Sequence, residues 1–342
     1  MLAIGRDAAV GIVPPDAVPP GPGEMVALMA EGPALMARGA PALLVMGDGQ
    51  RFPGSIEERD GVATWRSAWC APRPMDLDGV RGISFGDGDP PPASDTDVVL
   101  LRNGDRRSGV VTAVGAKFLL LEEASGEGRS EVKVPIESVV AVGLAGPAPE
   151  RSGVRVWVAD GSVIDAPRVA WLGPEYLQLP GRPGARTESV TIPRAAVVAM
   201  QADPGSVVSL SSMVPTASVP AGAAGVPYAV APPAVPPGPS PLDAPTLDVE
   251  GPVRLSYPAA AHPQRLLATV RRPEPARAAG DVDLVVCAGG KELHRERLDA
   301  GRSSVELRID LPGGPFELLL LPVQRSAAGC HVLLERAILC RR

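Results

Sequence analysis

Aromatic side chains are scarce: Phe, Trp and Tyr together make up 3% of the 342 residues. Histidine occurs three times, at His262, His294 and His331, each without a HExxH-like or triad-like neighbourhood, so no metal site and no histidine base is expected. Four cysteines, Cys70, Cys287, Cys330 and Cys340, show no CxxC pair and no zinc-ligand spacing, which leaves free thiols as the expectation and a Cys330–Cys340 disulfide across neighbouring strands as the lesser alternative. No apolar run is long enough for a membrane span. Residues 25–46 are broken by Glu31, Arg38 and several Gly and Pro, and residues 316–323 fall far short of the roughly 20 needed. The start, residues 1–15, does not read as a signal peptide, since Arg6 and Asp7 interrupt it early. Basic residues are outnumbered, 33 against 39 acidic, and the net charge of -6 has the wrong sign for a phosphate-backbone binder, so nucleic acid is not an expected partner. Nearly all the bases are Arg and Asn103 is the only Asn, a skew that reports on codon usage. The nucleophile elbow, the Walker A loop and the GxGxxG fingerprint are all missing, so the expected catalytic residues, metals and cofactors are none.

Hydrophobic residues at 45% and charged residues at 21% are enough for a sizeable core. Gly (38) and Pro (40) fill close to a quarter of the chain without a three-residue period, which points to short strands and turns and away from helical bundles. A repeat organises the first two thirds. The dipeptides Asp48-Gly49, Asn103-Gly104 and Asp160-Gly161 place their glycines 55 and 57 positions apart, and each follows a short apolar run, at 42–46, 98–101 and 154–158. Asx-Gly after such a run is a hairpin-turn signal. Five residues beyond the turn glycine stand Gly54, Gly109 and Ala166, small residues suited to a sharp strand bend. Apolar segments at 62–65, 118–121 and 176–179 come next. A closing signature follows at 75–83, 134–142 and 192–200, in which Pro135 and Pro193 preset φ for a short helical or 3₁₀ turn before a last strand, while Asp76 stands there in the first unit.

Strand, bend, two central strands, short turn and last strand is the order of an SH3-like or Sm-like small barrel. The segments beginning Leu100-Leu101-Arg102-Asn103-Gly104-Asp105 and closing Val134-Pro135 resemble small β-barrel modules of exported planctomycete-type proteins. Units below 60 residues bury only about 60% of their unfolded surface, so the three are expected to pack together as an open array. The fold class is therefore all-β: three tandem small SH3/Sm-like β-barrel units at 41–88, 96–146 and 152–203, plus a C-terminal antiparallel β-sandwich. Residues 1–40 are expected to be a Pro/Gly-rich mobile tail with at most one short helix over 24–36, and residues 204–245 a Pro/Ala-rich linker of polyproline character. Trp65, Trp69, Trp157 and Trp171 are expected to fill barrel cores or seal unit interfaces.

Residues 246–342 alternate in apolar character over seven stretches, 253–257, 266–270, 282–287, 292–298, 305–309, 316–321 and 332–339, broken by Gly, Pro, Asp or Ser. Val305, Leu307 and Ile309 interleave with Glu306, Arg308 and Asp310, so one face is buried and one solvated. So many short strands in so short a span indicate a sandwich. Leu255-Ser256-Tyr257, the strand at 266–270, the run 282–293, Val305-Glu306-Leu307-Arg308-Ile309-Asp310 and Phe316-Glu317-Leu318-Leu319-Leu320 resemble the jelly-roll, carbohydrate-binding-like module called NPCBM. The chain departs from that pattern at 248–252 and 331–335, and no family site residue carries over.

The resemblance implies a glycan or another protein as partner. Sugar sites use a flat aromatic with polar groups beside it, and this domain has Tyr257 and Phe316 alone. Tyr257 is the candidate ligand contact, set against core packing in an alternating strand. Asp87, Asp89, Asp95 and Asp97 around Pro90-Pro91-Pro92 lack the ligand order of a calcium loop and read as a solvated linker. Glu57-Glu58 and Glu122-Glu123 sit at strand ends with no dry pocket to raise a carboxylate pKa. The expectation is a non-catalytic binding protein. A scaffold making only protein contacts is the competing class; an Sm-like RNA binder and an appended hydrolase rank below it.

Overall fold

The computed structural model describes residues 1–5, 10–22, 25–30, 40–86, 88–92, 95–125, 128–147, 151, 153–180, 189–203, 205–218, 233–234, 240–277, 280–323 and 329–342. The chain is all-β, its strands gathered in antiparallel sheets; among the described residues the one α-helix is the single turn Glu274–Arg277. Two compact units emerge, one of residues 1–3 and 12–202, the other of 4–11 and 203–342.

In the first unit one wiring recurs three times. Ala42–Met46 pairs with Arg51–Arg59 and with Val80–Ser84. Asp97–Leu101 pairs in the same way with Arg106–Val114 and Val139–Gly143, and Val154–Val158 with Val163–Ala166 and Val197–Gln201. The central strands of the first two repeats, Val62–Ser67 with Cys70–Pro74 and Phe118–Ser125 with Gly128–Pro135, extend from the second strand. In the third repeat Ala170–Leu172, Tyr176–Leu179 and Val190–Pro193 form a separate three-stranded sheet. The repeats share hydrogen bonds: the last strands of the first two pair at Ser84 with Ala141 and Ile83 with Val142, and the second strands of the first and third meet at Arg51 and Val163. Joining edges in this way covers backbone groups that a lone repeat would leave open.

The turns explain the spacing. In each, the glycine N–H donates to the carbonyl three residues back, Gly49 to Met46, Gly104 to Leu101 and Gly161 to Val158. Those glycines take φ of 86°, 90° and 91°, which a β-carbon would disfavour. The residue before each glycine braces the turn from its side chain, as Asp48, Asn103 and Asp160 accept the backbone N–H of Gln50, Asp105 and Ser162 through their side-chain oxygens. Pro135 and Pro193 precede the 3₁₀ turns Ile136–Ser138 and Arg194–Ala196.

The bend glycines are steric. A β-carbon on Gly54 would lie 2.0 Å from the Arg66 carbonyl oxygen, and one on Gly109 2.1 Å from that of Glu122. In the third repeat Ala166 occupies the equivalent place, and there the relief comes from Gly153, whose β-carbon would lie 2.3 Å from the Ala166 carbonyl oxygen. Gly109→Ala is expected to lose about 1–3 kcal/mol in urea unfolding through this overpacking, whereas Gly88→Ala, with open space around it, stays within a few tenths.

Two expectations for the flanking segments fail. Residues 1–40 are not a tail carrying a helix: Met25–Met29 is a strand, buried throughout, paired with Val197–Gln201 at Met29–Ala199 and Leu28–Met200. A five-residue continuous apolar run has no periodicity to distinguish strand from helix, and two-sided burial decides for strand. Residues 24 and 31–36 of the expected helix lie outside the described residues. Likewise 204–245 is not wholly linker. Val207–Ser209 pairs with His331–Arg341, Leu210 is buried in the core, and Thr216–Ser218 pairs with Val253–Ala260. The proline-rich stretch 230–239 lies outside the described residues except 233–234, where Ala234 exchanges both backbone hydrogen bonds with Asp248.

The second unit is a sandwich of two antiparallel sheets. One contains Val207–Ser209, His331–Arg341, Gln264–Arg271 and Ser304–Leu311, with Leu247–Glu250 also on His331–Arg341. The other runs Thr216–Ser218, Val253–Ala260, Gly314–Pro322, Val282–Ala288, Lys291–Leu298. Their inner faces supply one core, in which Leu266, Val270, Leu307 and Ile309 meet Leu255, Leu284, Val286 and Leu318. Glu306, Arg308 and Asp310 face outward as the alternation required. Each of the seven sequence stretches is a strand.

Candidate functional site

Tyr257 does not contact solvent. It is 2% exposed, its ring stacked on that of its cross-strand partner Phe316 with centroids 4.9 Å apart and planes within 8°. It belongs to the sandwich core, its hydroxyl has no hydrogen-bond partner among the described residues, and burial pushes its phenol pKa up. The ligand reading of Tyr257 is corrected accordingly. Val253, Leu255 and Tyr257 lie on one face of one strand, and that face is the inward one.

Several of the remaining polar candidates already have partners within the protein. Asp89 pairs with Arg51, and the carboxylate of Asp97 accepts the backbone N–H groups of Val111 and Ala145, each at 2.7 Å. Pro90 and Pro91 pack where β-carbons on Gly82 and Gly143 would sit, so the proline run is a fitted part of the repeat junction, not a solvated linker; Asp87 lies outside the described residues. Glu57 pairs with Arg66 at 3.0 Å and Glu123 with Arg107 at 3.0 Å. His331 Nε2 meets Asp248 Oδ1 at 2.5 Å. No three His, Cys, Asp or Glu among the described residues are grouped to hold a metal.

All four cysteines are free. Burial pushes the thiols of Cys330 and Cys340 up to about 12. The thiolate is the nucleophile, so iodoacetamide at pH 8 is expected to leave these two unmodified in the native protein and to label them in urea. A thiol whose pKa is raised by folding favours the native state below its unfolded pKa near 9 and loses that contribution as pH rises from there toward 12.

What the sequence did not single out is a pair of exposed rings. Phe118 and Tyr176 are 40% and 43% exposed, and each opens the equivalent strand of its repeat. Each also faces the closing proline across its strand pair, Phe118 opposite Pro135 and Tyr176 opposite Pro193. In the first repeat the exposed Val62 holds the corresponding place. Lys133 Nζ lies 4.0 Å from the Phe118 ring centroid, and the exposed Leu172 lies across from Tyr176. The signal was the repeat alignment, which set Phe118 and Tyr176 in register at the head of an apolar segment; exposure was hidden because the segment as a whole reads as core.

A cleft of about 450 Å³ opens at the junction of the first two repeats. Its lining includes Leu77, Asp78, Arg81, Asp97, Leu144 and Pro147. The Leu144 N–H donates to the Arg81 carbonyl at 2.8 Å and the Gly47 N–H to the Gly79 carbonyl at 2.8 Å, which fixes its two walls.

No protein-family model matches the chain, and no curated protein matches it. Among solved structures, a CBM51 module from Clostridium perfringens GH95 in complex with methyl-galactose is similar at 8% identity and a TM-score of 0.26, over 28% of this chain and 69% of that one. The CBM51-2 and INT domains of Clostridium perfringens ZmpB, in complex with GlcNAc, match at 10% identity and a TM-score of 0.31 over 55% of this chain and 43% of theirs. The M60 catalytic domain of ZmpB with its two CBM51 domains matches at 9% identity and a TM-score of 0.30, over 93% of this chain and 44% of that one. In the last two the chain spans less than half of the matched length. Similarity at this level leaves family and ligand unassigned.

Proposed function

We propose that the protein is a non-catalytic carbohydrate-binding protein that holds its ligand on the exposed rings of its repeats. The observation that carries this reading is the recurrence of an exposed aromatic, Phe118 and Tyr176, at one position of two repeats. A sugar ring offers an apolar C–H face to a flat aromatic and hydroxyls to neighbouring polar groups; the Lys133 ammonium covers one face of Phe118, which leaves the opposite face as the platform. Two such platforms on one unit favour a polymer over a single sugar, because the second contact becomes intramolecular once the first is made. In this proposal the repeats are SH3/Sm-like barrels and the sandwich is a degenerate relative of the NPCBM module that has turned its aromatics inward. In favour of a non-catalytic role, Glu57 and Glu123 are taken up by arginines at the surface, far from the dry setting that tunes a carboxylate for acid catalysis.

Affinity electrophoresis against a panel of polysaccharides tests the reading. Retention is expected, and Phe118→Ala or Tyr176→Ala is expected to weaken it about tenfold each, equivalent to about 1.4 kcal/mol. Absence of retention on every polysaccharide would sink the proposal in favour of a scaffold making only protein contacts.

A further inference from the structure

We infer that the cleft at the junction of the first two repeats binds one neutral hexose unit, through Arg81, Asp97 and Asp78. This rests on the carbohydrate reading and adds to it a second, distinct site with a stated ligand class. The cleft's volume, about 450 Å³, falls within the span of small-molecule pockets. Asp97 is the fixed element. Its two oxygens each accept one backbone N–H at 2.7 Å, so the carboxylate cannot swing, yet an ionised carboxylate has about four acceptor positions and two are left over. Arg81 is the donor: no hydrogen bond or ion pair joins its guanidinium to a described residue, and it lines the cleft. Asp78, exposed at the closing turn of the first repeat, adds a second acceptor.

A sugar hydroxyl both donates and accepts, so vicinal hydroxyls can bridge the guanidinium and a carboxylate at once. Leu77, Val80, Leu144 and Pro147 give the C–H face an apolar wall. Charge selects among sugars. Two carboxylates against one guanidinium leave the cleft negative, on a chain whose net charge is -6, so a uronate would be repelled where a neutral hexose is not.

The test uses the full chain with the methyl glycosides of glucose and galactose and with methyl glucuronide, followed by saturation-transfer NMR and calorimetry. Saturable binding of a neutral glycoside is expected, tighter than that of the glucuronide, and weakened about tenfold by Arg81→Gln. Asp78→Asn, at an exposed position, is expected to weaken it too and serves if Arg81→Gln does not fold. Binding of no glycoside, tighter binding of the glucuronide, or neutral-glycoside binding that both variants leave unchanged would each overturn the inference. Failure here is separable from failure of the ring platforms. Polysaccharide retention that is lost in the Phe118→Ala, Tyr176→Ala double variant, together with binding of no methyl glycoside at the cleft, leaves the proposed function standing and removes this site.

Discussion

Arg155→Ala is expected to lower unfolding stability by about 3–5 kcal/mol, read as a shift in the urea midpoint at unchanged slope. Arg155 grips Asp165 with two hydrogen bonds of 2.7 Å, and the two side chains are only 6% and 5% exposed. The same guanidinium donates to the Asp48 carbonyl at 2.5 Å in the turn of the first repeat. Gln50 closes the circuit: its amide donates to Asp48 Oδ2 at 2.8 Å and its carbonyl oxygen accepts the Asp165 N–H at 2.9 Å. Removing Arg155 leaves the Asp165 carboxylate buried without its cation, which is the costly case; removing both charges is the cheap one. The double variant Arg155→Met, Asp165→Leu is therefore expected to recover most of the loss. If the single and double variants are equally destabilised, the circuit is not what locks the first repeat to the third.

Tyr257 gives the second large effect, and its two substitutions part company. Tyr257→Ala is expected to cost about 3–5 kcal/mol, as for other buried aromatics truncated in a packed core. Tyr257→Phe is expected to be neutral or stabilising, because the hydroxyl it removes is buried with no partner among the described residues and gains nothing for the native state. Thermal unfolding of both variants checks this. A Tyr257→Phe variant that is clearly less stable would mean that the hydroxyl has a partner in the native protein.

These residues also mark how far the amino-acid order can be read. The repeat was legible because its signals are local: a glycine that must take positive φ at Gly49, Gly104 and Gly161, and one that must lack a β-carbon at Gly54 and Gly109. The sandwich strands were legible for a related reason, since an alternation such as that over Val305 to Ile309 requires one covered face. Illegible was which strands are covered on both faces. Val154–Val158 was legible as an apolar run, but its burial on both faces was not: Arg155 interrupts the run and is held by Asp165 and by the Asp48 carbonyl 107 positions away. Met25–Met29 was missed for the converse reason: it is a buried strand within a stretch whose Pro and Gly content suggested a tail.

The sequence by itself determined the all-β class, the threefold turn-and-bend period and the strands of the sandwich, because each follows from backbone sterics or from a period of two within a few neighbouring residues. Only the tertiary structure decided which side of each strand meets water. It turned Tyr257 inward onto Phe316, left Phe118 and Tyr176 outside, and brought Arg81 into the lining of the same cleft as Asp97, whose carboxylate two backbone N–H groups hold still. A residue's periodic position gives it a face, but whether that face is covered depends on segments distant in sequence, whose arrival no local pattern encodes.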